Sequence, residues 1–190
     1  ALVVTNRGND APLIRAEVLC AGHPVPDGAG EAAPKFPPPA VGQLVTVEPT
    51  LDRAVCSRGT PYRFFAMGGD PKRLVLDFEG GGACWNDLTC SIAGAVFSEE
   101  AATTEDVESV RDDPDLGGIY RLADAANPVE GWSLVHIPYC TGDVHWGDAV
   151  KDYAADLKIH HKGFVNAQTV LKWIFERYEP EQILVTGCSE

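Results

Sequence analysis

The chain has 190 residues, enough for one domain with a buried core, and its 45% hydrophobic and 23% charged residues are typical of a globular protein. Its formal net charge of -13 argues against a nucleic-acid partner, because the phosphate backbone would be repelled. No apolar run reaches the roughly eighteen residues of a membrane span, so the sequence predicts no transmembrane helix.

Residues 1–42 are predicted to form an irregular N-terminal arm, rich in proline and glycine from residue 20 onwards. Residues 43–190 are predicted to form the N-terminal part of a folded domain. Its first strands are expected at 43–48, 62–67 and 73–78, with antiparallel pairing among the three.

Short helices are expected between residues 98 and 110, and the next strand at 132–138. Residues 139–161 are predicted to be a long loop. An apolar stripe of helical period predicts a helix over 163–179, and a buried strand follows at 182–186. A strand, a helix and a further strand imply a right-handed crossover and a parallel pair of strands. The expected fold is α/β, with a mixed sheet that is antiparallel at the start and parallel later, and with helices packed on it.

Six cysteines occur without a Cys-x-x-Cys pair, which favours disulfides over a zinc or thioredoxin motif and leaves fifteen pairings open. They are Cys20, Cys56, Cys84, Cys90, Cys140 and Cys188. Disulfides persist in oxidising compartments, so we expect a protein that is secreted or otherwise extracytoplasmic.

The end of the last strand carries the first chemical signal. Gly187-Cys188-Ser189 after a buried strand is how a nucleophile elbow begins, with glycine where the turn is too tight for a side chain. An ordinary strand-to-loop turn is the alternative. The second signal is the glycine-rich segment 79–86, which follows the strand at 73–78. Such a loop supplies backbone N–H groups to an oxyanion hole, whereas a phosphate-binding loop would need Gly-Lys-Ser/Thr.

The histidines do not match a metal-binding motif. His136 is expected to pack within a strand, His145 to line a pocket, and His160 and His161 to be structural. Their spacing fits no zinc enzyme, and His-Glu-x-x-His is absent. We therefore expect no metal ligand among them.

Four segments in order resemble the pectin acetylesterase family, which includes the carboxylesterase Notum. They are Leu76 to Asn86, Ile137 to Gly147, His161 to Ala167, and Gly187-Cys188-Ser189. The resemblance extends from about residue 50 to the end. It implies an α/β-hydrolase with a Ser-Asp-His triad and no metal or other cofactor. It also implies an acylated carbohydrate or another ester as substrate, with acetylated pectin the commonest, and we expect a monomer.

The resemblance also implies residue roles. Ser189 corresponds to the nucleophile, and Gly81 and Gly82 contribute to the oxyanion hole together with the backbone N–H of Glu190. Two disulfides are implied, Cys84 with Cys90 and Cys56 with Cys140; Cys20 and Cys188 have no assigned partner. Ala83 and Glu190 depart from the family pattern, which often has an aromatic residue and usually alanine at these positions.

The chain order of this fold places the triad aspartate and histidine after the nucleophile. We therefore expect both downstream of residue 190, and little esterase activity from residues 1–190 alone. Two alternatives remain open. One is a non-catalytic protein of the same fold that binds a carbohydrate or lipid ester. The other is a truncated product whose edge strand at 182–187 is unprotected.

Overall fold

The structure is a computed structural model that describes residues 2–5, 15–18, 36–50, 53–92 and 94–187. Two short strands, β1 (Leu2–Thr5) and β2 (Arg15–Val18), pair antiparallel within the N-terminal arm, for which the sequence pattern predicted no regular element. The rest of the described chain is organised around one mixed sheet.

The central sheet has five strands in the order β3-β4-β6-β5-β9. Their bounds are β3 (Leu44–Val47), β4 (Phe64–Met67), β5 (Asp70–Phe78), β6 (Trp132–Ile137) and β9 (Gln182–Gly187). Antiparallel pairs join β3 to β4 and β4 to β6, whereas β5 runs parallel to both β6 and β9. The mixed α/β sheet is therefore confirmed, antiparallel in its first two pairs and parallel in the other two.

Two expected pairings are wrong. β5 does not pair with β4, because β6 lies between them, and β6 does not pair with β9, because β5 lies between them. At Gly69 the chain runs so close to the start of β6 that a Cβ atom there would overlap the carbonyl oxygen of Trp132. The pairing of β5 with β6 has a register shift between Asp70 and Leu74.

The side chains of β5 divide the core into two halves. Leu74 and Leu76 belong to one cluster and Val75 to another, as the two-residue period of a strand requires. The first cluster is covered by Val170 and Ile174 of α3 (Gly163–Phe175). The second is completed on the opposite face by Met67, Val129, Leu134 and the half-buried Ile119, Tyr120 and Leu122.

Three shorter helical elements lie between β5 and β6. They are α1 (Asp87–Ser91), α2 (Thr104–Asp112) and a 3-10 turn (Gly118–Tyr120). Asn86 and Thr103 begin α1 and α2 with capping boxes, in which each N-cap side chain accepts a hydrogen bond from the N3 backbone.

The expected loop over 139–161 is wrong in its second half, which forms a hairpin of β7 (Ala149–Ala154) and β8 (Leu157–His161). β7 is almost entirely exposed, so it lacks the alternating apolar pattern that would have revealed it. The helix expected over 163–179 ends four residues early, at Phe175. Tyr178 nevertheless stays buried against the core in the turn that follows.

Candidate active site

A pocket of about 220 Å3 lies at the end of the sheet where β5, β6 and β9 finish. It is lined by Phe78, Glu79, Gly80, Gly81, Gly82, Tyr139, Val144, His145 and Gly187. In α/β sheets ligands bind at the carboxyl ends of the parallel strands, and this pocket occupies that position. The structure therefore brings the glycine loop, defined here as residues 80–82, together with the last residue of β9.

The glycine loop leaves β5 in a conformation that only glycine adopts easily. Gly82 has φ +75°, and a Cβ atom there would overlap the carbonyl oxygen of Val96. At Gly81 a Cβ atom would lie 2.6 Å from the ring of Tyr139. No backbone carbonyl of the described residues accepts a hydrogen bond from the N–H of Gly80 or Gly81. These N–H groups are available to a bound ligand.

The other side of the pocket is formed by the end of β9. A Cβ atom on Gly187 would come within 2.7 Å of the Phe78 carbonyl oxygen, so the strand end passes the end of β5 at a distance that excludes a side chain. Cys188, Ser189 and Glu190 lie outside the described residues. The roles of Ser189 and Glu190 thus stay predictions, whereas the glycine that precedes them faces the glycine loop across the pocket.

The third wall comes from the segment after β6. Val144 and His145 both have left-handed backbones, with φ 52° and 60°, which costs about 1–2 kcal/mol for each non-glycine residue. The surrounding contacts hold them there. The Val144 N–H donates to the Tyr139 hydroxyl oxygen at 2.8 Å, and the Gly147 and Gly163 N–H groups donate to the Asp143 carboxylate. Strain of this kind concentrates at functional sites.

Two disulfides brace these walls, and both pairings implied by the resemblance are confirmed. Cys56 bonds to Cys140, and Cys84 bonds to Cys90. The first joins the segment before β4 to the segment after β6. The second closes the turn of α1 directly behind the glycine loop. Cys20 lies outside the described residues, as does Cys188.

The histidines lie in separate environments. His145 lines the pocket and His136 is buried in β6, as the sequence predicted. His161 is buried at the end of β8, where its ring bonds to the Tyr153 hydroxyl and the Thr141 carbonyl. Among the described residues, the one cluster with metal-ligand spacing joins His161 to Cys84 and Cys90. Those two sulfurs are bonded to each other and do not offer thiolates.

A buried polar cluster beneath the pocket was not recognised from the sequence. The Tyr120 hydroxyl donates to the Asp77 carboxylate, and Nδ1 of His136 lies 2.8 Å from the same carboxylate. On the other side of the ring, Nε2 of His136 lies 3.9 Å from the carboxylate of Glu79, which also accepts the Tyr139 N–H at 2.9 Å. The signal that could have revealed it is a polar residue within an apolar run, namely Asp77 in the run 74–78 and His136 in the run 134–137.

Burial and the negative charge of Asp77 raise the pKa of Tyr120 well above its ordinary value, so this hydroxyl stays protonated and remains a donor. Burial also raises the pKa of Tyr139 to about 12. Both phenols are therefore neutral at physiological pH. The pocket wall carries no phenolate that would repel a developing oxyanion.

A family model described as pectinacetylesterase matches residues 39–190. The chain belongs to the pectinacetylesterase family. A search of curated proteins found no significant match. The pectinacetylesterase match covers the central sheet, the glycine loop and the strand that ends in Gly187, so the pocket is built entirely from matched residues.

Membership of the pectinacetylesterase family identifies the chain as an acetylesterase-type hydrolase, whose substrates are esters. The two disulfides and this family together point to an extracellular location. Within the described ranges, none of the helices has the length and apolar character needed to span a bilayer.

Proposed function

We propose that this protein is a serine esterase that removes O-acetyl groups from a polysaccharide such as pectin, and that it acts as a secreted monomer. The observation that carries the proposal is the pocket in which the glycine loop faces Gly187, where no backbone carbonyl of the described chain accepts from the N–H groups of Gly80 and Gly81. Ser189 follows Gly187 by two residues, which is the spacing of a nucleophile elbow.

In the proposed reaction, Ser189 Oγ attacks the ester carbonyl carbon while its proton passes to a histidine. The carbonyl oxygen becomes an oxyanion that accepts hydrogen bonds from the N–H groups of Gly81, Gly82 and Glu190. The carbon–oxygen bond to the sugar then breaks, and the sugar oxygen takes the proton from the histidine. Water hydrolyses the acetyl-serine by the same steps and releases acetate.

The histidine and the aspartate that orients it are proposed to follow residue 190, in the order that this fold uses. His136 is not suited to that role, because it is buried in β6, does not line the pocket, and turns its Nε2 towards the Glu79 carboxylate. His145 lines the pocket, but it precedes Ser189 in the chain, contrary to the order of this fold, and its Nε2 is bonded to the Glu79 carbonyl oxygen.

The volume of the pocket and the net charge of the protein are in keeping with a small acyl group on a neutral carrier. The pocket of about 220 Å3 among the described residues has room for an acetyl group. The net charge of -13 repels the free carboxylates of pectin. We therefore propose that methyl-esterified or otherwise neutral stretches are preferred.

The test compares the full-length protein with its Ser189→Ala variant on acetylated, methyl-esterified pectin and on 4-nitrophenyl acetate. We expect acetate release by the unsubstituted protein and a loss of about a thousandfold or more in kcat for Ser189→Ala. Ser109→Ala, at an exposed position of α2, is the matched control and should keep full activity.

Turnover that survives in Ser189→Ala would refute the assigned nucleophile. Binding of acetylated pectin by the full-length protein without any acetate release would support the non-catalytic alternative instead. An active protein made of residues 1–190 alone would refute the assignment of the histidine and aspartate to the residues beyond.

A further inference from the structure

The ring of His145 is held in the pocket with one nitrogen committed and the other free. Nε2 lies 2.9 Å from the carbonyl oxygen of Glu79. A carbonyl oxygen can only accept, so Nε2 carries the proton. In the neutral ring Nδ1 is then an acceptor, and no described residue donates to it.

The ring cannot easily turn away from this position. Its edge packs on Phe78 at a centroid distance of 5.3 Å, and Tyr139 lies against it at 4.9 Å. The left-handed backbone of Val144 and His145 turns the chain towards the pocket, and the bridge between Ala83 and Asp143 fixes that turn to the end of the glycine loop. A fixed orientation of this kind reduces the entropy lost when a ligand binds.

An acceptor beside the oxyanion loop suits one class of ester. The glycine loop, Gly187 and His145 line the same small pocket, so an ester bound with its carbonyl against the loop lies close to the imidazole. A simple alkyl or aryl ester has no group that could donate there. A carbohydrate ester can have a free hydroxyl on the ring carbon adjacent to the one that carries the ester oxygen.

We propose that Nδ1 of His145 accepts a hydrogen bond from a substrate hydroxyl adjacent to the ester, so that His145 selects esters of polyhydroxylated carriers. The proposal rests on the proposed function, because it concerns the same pocket and the same ester. It adds a residue that determines which alcohol is recognised.

The test measures binding in the Ser189→Ala background, where no turnover is needed. The ligands are methyl 3-O-acetyl-galactopyranoside and its 2-deoxy and 4-deoxy analogues, each titrated against the full-length protein and followed by NMR. We expect one deoxy analogue to bind about threefold to tenfold more weakly, which is the contribution of one neutral hydrogen bond.

The ratio of the affinity for the 3-O-acetyl galactoside to the affinity for its weaker-binding deoxy analogue is then measured in three variants. His145→Phe keeps an aromatic ring but has no acceptor, so the ratio should fall to about one. His145→Gln should keep part of the ratio, because its amide can donate to Glu79 and also accept from the hydroxyl. His160→Phe, the same change at a histidine outside the pocket, should keep all of it.

An unchanged ratio in His145→Phe would overturn the proposal, as would equal affinities for all three ligands in the parent protein. If His145→Phe does not fold, the parent ratio and the His145→Gln ratio decide the matter in the same way. In the otherwise unsubstituted protein, a loss of 4-nitrophenyl acetate turnover in His145→Phe as large as that of Ser189→Ala would show a catalytic base and refute a role in selection. Absence of any turnover by the unsubstituted protein, with the affinity ratio intact, would refute the proposed function and leave this inference standing.

Discussion

The hydroxyl of Tyr120 donates a hydrogen bond to the carboxylate of Asp77 across 43 positions of sequence, and it joins the 3-10 turn to the end of β5. Nδ1 of His136 lies 2.7 Å from the Tyr120 oxygen and 2.8 Å from Asp77. All three groups are held next to Glu79, whose backbone begins the pocket wall. The contact thus fixes the end of the strand from which the glycine loop departs.

Tyr120→Phe should lower the free energy of unfolding by about 1–3 kcal/mol, because it leaves the buried Asp77 carboxylate without its phenolic donor. Urea denaturation measures the change. Tyr153→Phe is the control, since that hydroxyl also bonds to a histidine but lies on the hairpin, away from the pocket; it should cost about 1 kcal/mol or less. Equal losses in the two variants would contradict the importance of the buried cluster.

High pH should destabilise the protein through its buried tyrosines. The pKa of Tyr139 is raised to about 12 by burial, so its neutral form is favoured in the folded state. A raised pKa contributes stability that is complete below the unfolded pKa of about 10 and is lost as the pH rises through the folded value. Thermal melts between pH 9 and 12 should show this loss, and Tyr139→Phe should show a shallower one. Identical slopes in parent and variant would contradict this prediction.

Gly82→Ala and Gly94→Ala separate backbone strain from steric overlap. The two glycines have nearly the same φ, +75° and +81°, but only at Gly82 does an added Cβ atom meet another group, the Val96 carbonyl. Gly94→Ala should therefore cost about 1–2 kcal/mol of strain alone. Gly82→Ala should cost about 1–3 kcal/mol more and should also reduce ester hydrolysis. A glycine loop without a role in the reaction would leave the two variants equally active.

The two disulfides should differ in their contribution to stability. Cys56 and Cys140 are separated by 84 residues, and Cys84 and Cys90 by six. Chain-entropy estimates give about 4.5 kcal/mol for the longer loop and about 2 kcal/mol for the shorter one. Urea denaturation of the two double cysteine-to-alanine variants should follow this order. All four cysteines are buried, so the cavity left by each pair is comparable, and the reverse order would contradict the loop-length argument.

Local patterns predicted the strands at 44–47, 64–67 and 132–137 well, because each combines apolar residues with nearby turn residues. They could not predict the place of β5 in the strand order, because its pairing partners lie more than 50 residues away in the sequence. The hairpin of β7 and β8 escaped because exposure removes the apolar alternation from β7.

The candidate site was likewise predictable only in part from local sequence patterns. The run of glycines at 80–82 predicted a loop at the site, because glycine marks positions that exclude a side chain, and the resemblance implied the roles of Gly81 and Gly82. The left-handed turn at Val144 and His145 has no such mark, since valine rarely adopts that backbone. The hydrogen-bonded cluster of Asp77, His136 and Tyr120 depends on the strand order of the sheet, which the sequence pattern did not predict.

The position of β5 has a consequence for the newly made chain. Both of its partners, β6 and β9, are synthesised after it, and β9 starts about 100 residues later. At roughly 5–20 residues per second, the edge of β5 that pairs with β9 stays unpaired for about 5–20 s. The nascent protein must therefore pass through a stage in which the sheet lacks its last strand and one edge of β5 is unpaired. Chaperones would have most to protect at this stage.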